Sequence, residues 1–439
     1  MRIKPTTVHL TRRSVLRIGG AALATAVAAV SANHLLLDVP PHTSPLPQTP
    51  PHTSTGEPPR KKLIQIGWDM PDTAFLARHW AQMEHEAPIF DGLAFTVNLA
   101  TRHGPISSTA MWDATPWQRD DLRPAMRDLQ SCHWTRFTDN FLLVHTVPGA
   151  LDWFDDHGWA VLTTKFELLA WVAKEGGARG LCYDPEHYDA HPFSYDPTRD
   201  RSFPDTVAKV RQRGREVVEA LARAYPDMVL KTLWLTGANY PADGDDWPTL
   251  LRDQEYGLFV AFVNGLLDGL PPQMQLVDGV EYGGYFCRKQ ADFLALYTLY
   301  RQHLGHAGFL IAPENKGRFR AQVSVALPLY LDMYLNEPDD GHWAGGAENP
   351  WYTAPSAGLT RQETLVANTG YALETADEYV WLYGEQCRWW SAAAYSDGHA
   401  EEVKTSVGTG RLWEQAMPGL TRQIDAVKQT AAVIPPFPL

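Results

Sequence analysis

From Lys61 onward the chain alternates between two hydrophobic periods. Short apolar runs read as buried strands, and longer stretches with apolar residues three and four apart read as helices. Leu63-Ile64-Gln65-Ile66-Gly67 is the first strand. Phe75, Leu76, His79, Trp80 and Met83 follow at helical spacing, opened by Pro71 and a capping Asp72 or Thr73. Phe90 to Val97 and Asn140 to His145 give the second and third strands. A helix from Thr163 to Glu175 leads to the fourth, Gly180 to Asp184. Helix 205–225 precedes a strand at Met228 to Trp234, helix 256–270 one at Gln275 to Glu281, helix 289–304 one at Gly308 to Ile311, and helix 361–376 one at Tyr379 to Tyr383. A helix from Thr421 to Val433 closes the chain. Residues 312 to 360, with a helix-like Val323 to Tyr334 and a long Gly/Asn/Trp loop, elaborate the seventh connection.

Eight such repeats predict an α/β fold with a parallel sheet and helices outside it. No GxGxxG or GxxxxGK[ST] loop is present, which favours a (β/α)8 TIM barrel over a doubly wound nucleotide-binding sheet. The barrel is expected to be a single domain spanning 61–439.

The first 60 residues follow other rules. Thr11-Arg12-Arg13-Ser14-Val15-Leu16-Arg17, then a small-residue apolar run ending Val30-Ser31-Ala32, resembles a twin-arginine export signal. The run is short and rich in Gly and Ala, which argues for cleavage near Ala32 over a retained membrane anchor. That resemblance implies passage through the Tat translocation machinery to a periplasmic or extracellular location, with no stable membrane insertion of the mature chain. Residues 33–60 form a linker in which Pro40-Pro41-His42-Thr43-Ser44 recurs as Pro50-Pro51-His52-Thr53-Ser54. Such a segment is extended and buries no core.

Charge narrows the function. Lys plus Arg total 38 against 51 Asp plus Glu, and the N-terminal 32 residues contain only basic ones, so the body is strongly acidic. Nucleic acid and anionic lipid are therefore poor partners. Four cysteines, Cys132, Cys182, Cys287 and Cys387, form no CxxC pair, which excludes a zinc ribbon or thioredoxin-type motif and favours buried thiols.

In a parallel barrel the chemistry sits just beyond the C-terminal strand ends. Those positions hold Trp68 and Asp69 after strand one, Asn98 after strand two and His145 after strand three. Asp184, Glu186 and Tyr188 follow strand four, and Asp278, Glu281 and Tyr282 follow strand six. Glu314 follows the seventh run, and Glu385, Trp389 and Trp390 follow the eighth. Carboxylates predominate. Cys182, Asp184 and Glu186 share one face of strand four, and two neighbouring carboxylates there favour one keeping its proton, as a general acid requires. Pro185 ends the ladder at that point.

Asp184-Pro185-Glu186 resembles the end of the strand-four signature of chitinase-like TIM-barrel glycoside hydrolases. That resemblance implies Glu186 as proton donor and Asp184 as its assistant, with carbohydrate as substrate. Cys182 stands where that family has a further Asp, and Pro185 where the larger retaining clan usually has Asn. The clan's nucleophile position at strand seven maps to Glu314.

Hydrolysis needs a second carboxylate across the scissile bond. Glu281 ranks first because Asp278-Gly279-Val280-Glu281-Tyr282 combines a strand end, a close-approach Gly and an aromatic. Glu314 and Glu385 follow, with Trp389 and Trp390 read as a sugar platform. Trp112 and Trp117 also rank as sugar-stacking rings, whereas a salt-bridged loop role stays open for each carboxylate. His145 reads as a hydrogen-bonded structural imidazole or a substrate contact. His187 and His191 suggest a metal, but Pro185 and Pro192 disfavour the helix that would align them, so neither metal nor cofactor is expected. The rival readings are a non-catalytic carbohydrate-binding or envelope-assembly protein on a degenerate barrel, and a metal-dependent deacetylase or esterase.

Overall fold

The computed structural model describes residues 61–101, 104–237, 251–306, 308–338, 349, 351–392 and 411–431. The export signal and linker lie outside these residues. Parallel strands run in the order Lys62–Gly67, Gly92–Phe95, Phe141–His145, Gly180–Asp184, Val229–Thr232, Gln275–Asp278 and Val323–Val325, with Leu327–Tyr330 and Tyr379–Gly384 completing the sheet. The sheet's two ends are halves of one strand. Val323–Val325 pairs with the sixth strand, and Leu327–Tyr330 pairs with the eighth, which in turn pairs with the first. The ring therefore closes as an eight-stranded (β/α)8 barrel whose seventh strand changes partner at Ala326.

This corrects the predicted seventh unit. Gly308 to Ile311 is not a strand: the side chain of Asn264, buried in helix Phe259–Gly269, bonds the Leu310 carbonyl at 2.8 Å and the Ala312 N–H at 2.7 Å. Those backbone groups are satisfied from a helix, so the segment needs no sheet neighbour. The predicted helix from Val323 to Tyr334 is instead the seventh strand and a short 3-10 turn, Leu331–Tyr334. Pro328 is tolerated inside it where the pairing switches, and it packs so closely that a Cβ on Gly284 would lie 2.2 Å from its ring.

Register fixes which side chains enter the barrel. Lys231 pairs with Cys182 and Val277, Val277 with Ser324, and Pro328 and Tyr330 with Trp381 and Tyr383. Paired residues in a parallel ladder face the same way, so these line the interior. Trp381 spans it, its indole donating to the Gly279 carbonyl at 2.9 Å. The opposite faces pack on helices: Tyr183 stacks 6.1 Å from Trp112 and meets Phe166, Phe259 and Phe262. Much of the tryptophan content is thus core, and each such ring contributes on the order of 1.5–3 kcal/mol through burial. Trp112 and Trp117 belong to this core rather than to a sugar surface. All four cysteines are buried and carry no disulfide. Among the described residues no helix is long and apolar enough to cross a membrane.

Candidate active site

The fourth strand delivers its two carboxylates as its sequence implies. Asp184 is the last ladder residue, opposite His145 on strand three, and the His145 Nε2 lies 3.6 Å from Asp184 Oδ2. The other Asp184 oxygen accepts the Glu186 N–H at 2.9 Å, an Asx-type turn that swings the chain out of the strand and sets the direction of Glu186. The Glu186 carboxylate accepts the Tyr188 hydroxyl. Asp184 and Glu186 are 1% and 0% exposed. His145, Asp184, Glu186 and Tyr188 therefore form one group.

A second group spans strands six to eight. After Gln275–Asp278 the chain turns through Val280, whose φ of 51° lies in the left-handed region that branched residues avoid. Val280 N–H is held by Asp278 Oδ1 at 3.1 Å and Glu281 N–H by the Leu233 carbonyl at 3.1 Å, contacts that over-determine the strained residue. Glu281 then opens the short helix Glu281–Gly284, buried, and accepts the Tyr285 hydroxyl at 2.9 Å. Tyr282 lies in the same helix, its side chain outside the described set. On the eighth strand the Tyr383 hydroxyl donates to Glu385 at 2.8 Å and accepts the Trp68 indole N–H at 2.7 Å. The rings of Tyr285 and Tyr383 are 6.1 Å apart, with Tyr330 5.3 and 5.2 Å from each. Glu281 and Glu385 are thus joined by a floor of three tyrosines.

Other predicted residues fall elsewhere. Glu314 is not at a strand end. It sits in a 3-10 turn with 59% of its side chain exposed and pairs with Arg211 on helix Phe203–Ala224. The carboxylate at the true end of strand seven is Asp332, buried, which accepts the Glu385 N–H at 3.2 Å to both oxygens and the Gln386 N–H at 3.3 Å. Asp69 and Asp278 face the helix side rather than the barrel axis. Asp69 accepts Gln65 Nε2 at 2.5 Å and the Trp389 N–H at 2.8 Å; Asp278 accepts the N–H groups of Leu235 and Val280 and the Thr236 hydroxyl. Burial pushes the Asp69 carboxyl up to about 7 and that of Asp278 to about 6, although their hydrogen bonds act the other way. Both are loop anchors.

Trp389 and Trp390, expected as a sugar platform, are buried. Trp389 packs edge-on to Phe90 at 4.8 Å and against Trp413 at 6.1 Å. Trp68 remains half-buried, and the Asn98 amide donates to Asp72 at 3.0 Å on the hairpin Asn98–Thr101 and Gly104–Ser107.

Four contributors were missed by sequence reasoning: Tyr285, Tyr330, Asp332 and Lys231. Lys231 is fully buried in the barrel, its ammonium 4.4 Å from the centre of the Trp381 ring, a cation–π contact beneath the carboxylate-bearing strand ends. A lysine inside the otherwise uncharged, mostly apolar run Met228 to Trp234 was the available signal. Among the described residues one cluster has metal-holding geometry: His187, His191 and Glu255.

No protein-family model matches this chain, and no curated protein does either. Solved structures similar to it include a GH5-4 broad-specificity endoglucanase from an uncultured bacterium, at 10% identity and TM-score 0.39, covering 82% of this chain and 86% of that one. A thermostable mutant of a xylanase, Xyn10A, from Cellvibrio japonicus matches at 12% identity and TM-score 0.38, over 75% and 87% of the two chains. GH5_18 from Streptomyces cattleya in complex with GlcNAc matches at 12% and 0.37, over 84% and 80%. These likenesses are too distant to bear on activity. The barrel rests on this chain's own strand pairing.

Proposed function

We propose that this protein is an exported glycoside hydrolase that cleaves an oligo- or polysaccharide by carboxylate acid/base chemistry. One observation carries the reading: three glutamates just past barrel strands four, six and eight each hold a tyrosine hydroxyl, Glu186 with Tyr188, Glu281 with Tyr285, and Glu385 with Tyr383. Carboxyls carried just past the strand ends stand on the face where barrel chemistry is built, and hydrolysis needs two of them across one bond.

In this reading Glu186 passes its proton to the glycosidic oxygen as the anomeric C–O bond breaks. Asp184 orients Glu186 through the turn it caps, and His145 flanks Asp184. Glu281 attacks the anomeric carbon or takes a proton from the attacking water, and Glu385 is its alternate. The leaving sugar departs with the Glu186 proton, and water supplies the hydroxyl of the new hemiacetal. Where Glu281 has attacked, that water displaces it from the anomeric carbon and gives its proton to Glu186; otherwise the water proton passes to Glu281. Trp68, half-buried and tied to Tyr383, is the stacking surface. The twin-arginine pattern at residues 11–32 supports export to the periplasm or beyond.

A second reading, a carbohydrate-binding protein on a barrel without turnover, is favoured by the near-complete burial of Glu186, Glu281 and Glu385, at 0%, 0% and 1% exposure. Incubation with a panel of β- and α-linked glycans, read by reducing-end assay and mass spectrometry, separates the two. New reducing ends support the hydrolase; glycan retention on affinity electrophoresis with no product supports the binder.

A further inference from the structure

The loop after strand four carries a second constellation that the hydrolase reading does not use. His187 follows Glu186 directly and is fully buried, its ring stacked on Tyr256 at 4.3 Å with an interplanar angle of 14°. His191, half exposed, brings its ring to 4.2 Å from that of His187. Glu255, the residue before Tyr256, reaches both: its Oε1 lies 3.2 Å from His187 Nε2 and 3.5 Å from His191 Nδ1. A helix would have been one way to align the two histidines. Here a turn does so, and the third donor comes from 68 residues further along the chain.

These separations have a specific chemical meaning. Zinc bonds of ~2.0–2.2 Å to imidazole nitrogen and carboxylate oxygen in a tetrahedron put neighbouring ligand atoms roughly 3.3–3.5 Å apart. The two edges from Glu255, 3.2 and 3.5 Å, lie within about 0.1 Å of that range, and all three donor atoms lie within 4.8 Å of one another. A single hydrogen bond explains the first edge. It does not explain why a second imidazole converges on the same oxygen at 3.5 Å, beyond the usual N–H···O range. Two imidazoles and one carboxylate form a donor set suited to borderline divalent cations and poorly suited to calcium or magnesium, which prefer oxygen.

We propose that His187, His191 and Glu255 bind one divalent cation of the zinc class, with solvent in the fourth position on the side where His191 and Glu255 are exposed. The ion clips the loop bearing Glu186 and Tyr188 to the segment that leads into helix Phe259–Gly269. Its binding is independent of any turnover, so it stands or falls apart from the hydrolase reading.

The test uses the full folded chain, stripped with EDTA and dialysed, then titrated with Zn2+ by calorimetry and with Co2+ by visible absorption. One equivalent should bind, and Co2+ should give the intense visible bands of a four-coordinate ion. His191→Ala and Glu255→Gln should each weaken binding at least tenfold, whereas His191→Cys, which keeps a zinc donor, should retain it. Zn2+ should raise the melting temperature of the parent chain and leave that of His191→Ala unchanged. Absence of saturable uptake by the parent chain overturns the site. Uptake with unchanged affinity in both weakened variants also overturns it, because other histidines would then hold the ion.

Discussion

The Tyr285 hydroxyl donates to Glu281 at 2.9 Å, and its ring lies 6.1 Å from that of Tyr383, which donates in turn to Glu385. Two carboxylates that follow different strands are thereby held by neighbouring phenols. The reading that makes Glu281 the partner of Glu186 predicts that Glu281→Gln lowers kcat by about 10²–10⁴-fold and Glu385→Gln by markedly less. Michaelis–Menten kinetics on the substrate found by the glycan panel check this; a larger loss at Glu385 would exchange the two roles. Tyr285→Phe removes only the donor and should lower kcat by about tenfold with KM little changed.

Glu314 serves as the control for chain geometry. Its exposed carboxylate pairs with Arg211 away from every strand end, so Glu314→Ala should leave turnover within about twofold. A loss comparable to that of Glu186→Gln would show that the strand-end account of the active face is wrong.

The aromatic residues split into two kinds. Trp389 is buried between Phe90 and Trp413, and Trp389→Ala should cost about 3–5 kcal/mol of stability through the cavity it leaves. Trp68→Ala should chiefly raise KM, with a smaller fall in melting temperature. Urea unfolding curves beside saturation kinetics distinguish the two.

Asp69 makes stability depend on pH in a stated direction. Its carboxyl is pushed up to about 7 in the fold, against 3.8 for an ordinary aspartate, so between those values the folded chain holds more protons than the unfolded one. Stability then falls as pH rises through that window, by at most about 1.4 kcal/mol per pH unit from this group. Asp278, raised to about 6, adds the same sign over a narrower range. Asp69→Asn, which keeps an acceptor for the Trp389 N–H, should flatten the decline between pH 5 and 7 in chemical denaturation. An unchanged slope would contradict this assignment.

The sequence made the barrel legible where a strand was short, mostly apolar and ended in or was followed at once by polar residues. Gly180–Asp184 and Tyr379–Gly384 are such cases, and their carboxylates emerged at the expected ends. Strand seven was illegible for a physical reason. Apart from half-buried Ser324, Val323 to Tyr330 is buried on both faces, so it shows no clean alternation, and its Ala and Leu read as well in a helix. Misplacing it promoted Glu314 and hid Asp332. The tyrosine floor escaped notice because Tyr285, Tyr330 and Tyr383 converge only once the ring closes. Asp69 and Asp278 sat at the correct ends but on the helix side, a distinction that only register reveals. The pairing of His187 with Glu255 is likewise tertiary.

Proton transfer from Glu186 to a glycosidic oxygen is tested most sharply by comparing Glu186→Gln with the parent chain on one substrate bearing a poor leaving group. If Glu186 is the donor, kcat falls by about 10²–10⁴-fold while circular dichroism, melting temperature and glycan affinity are retained. Turnover equal to that of the parent chain would contradict that role.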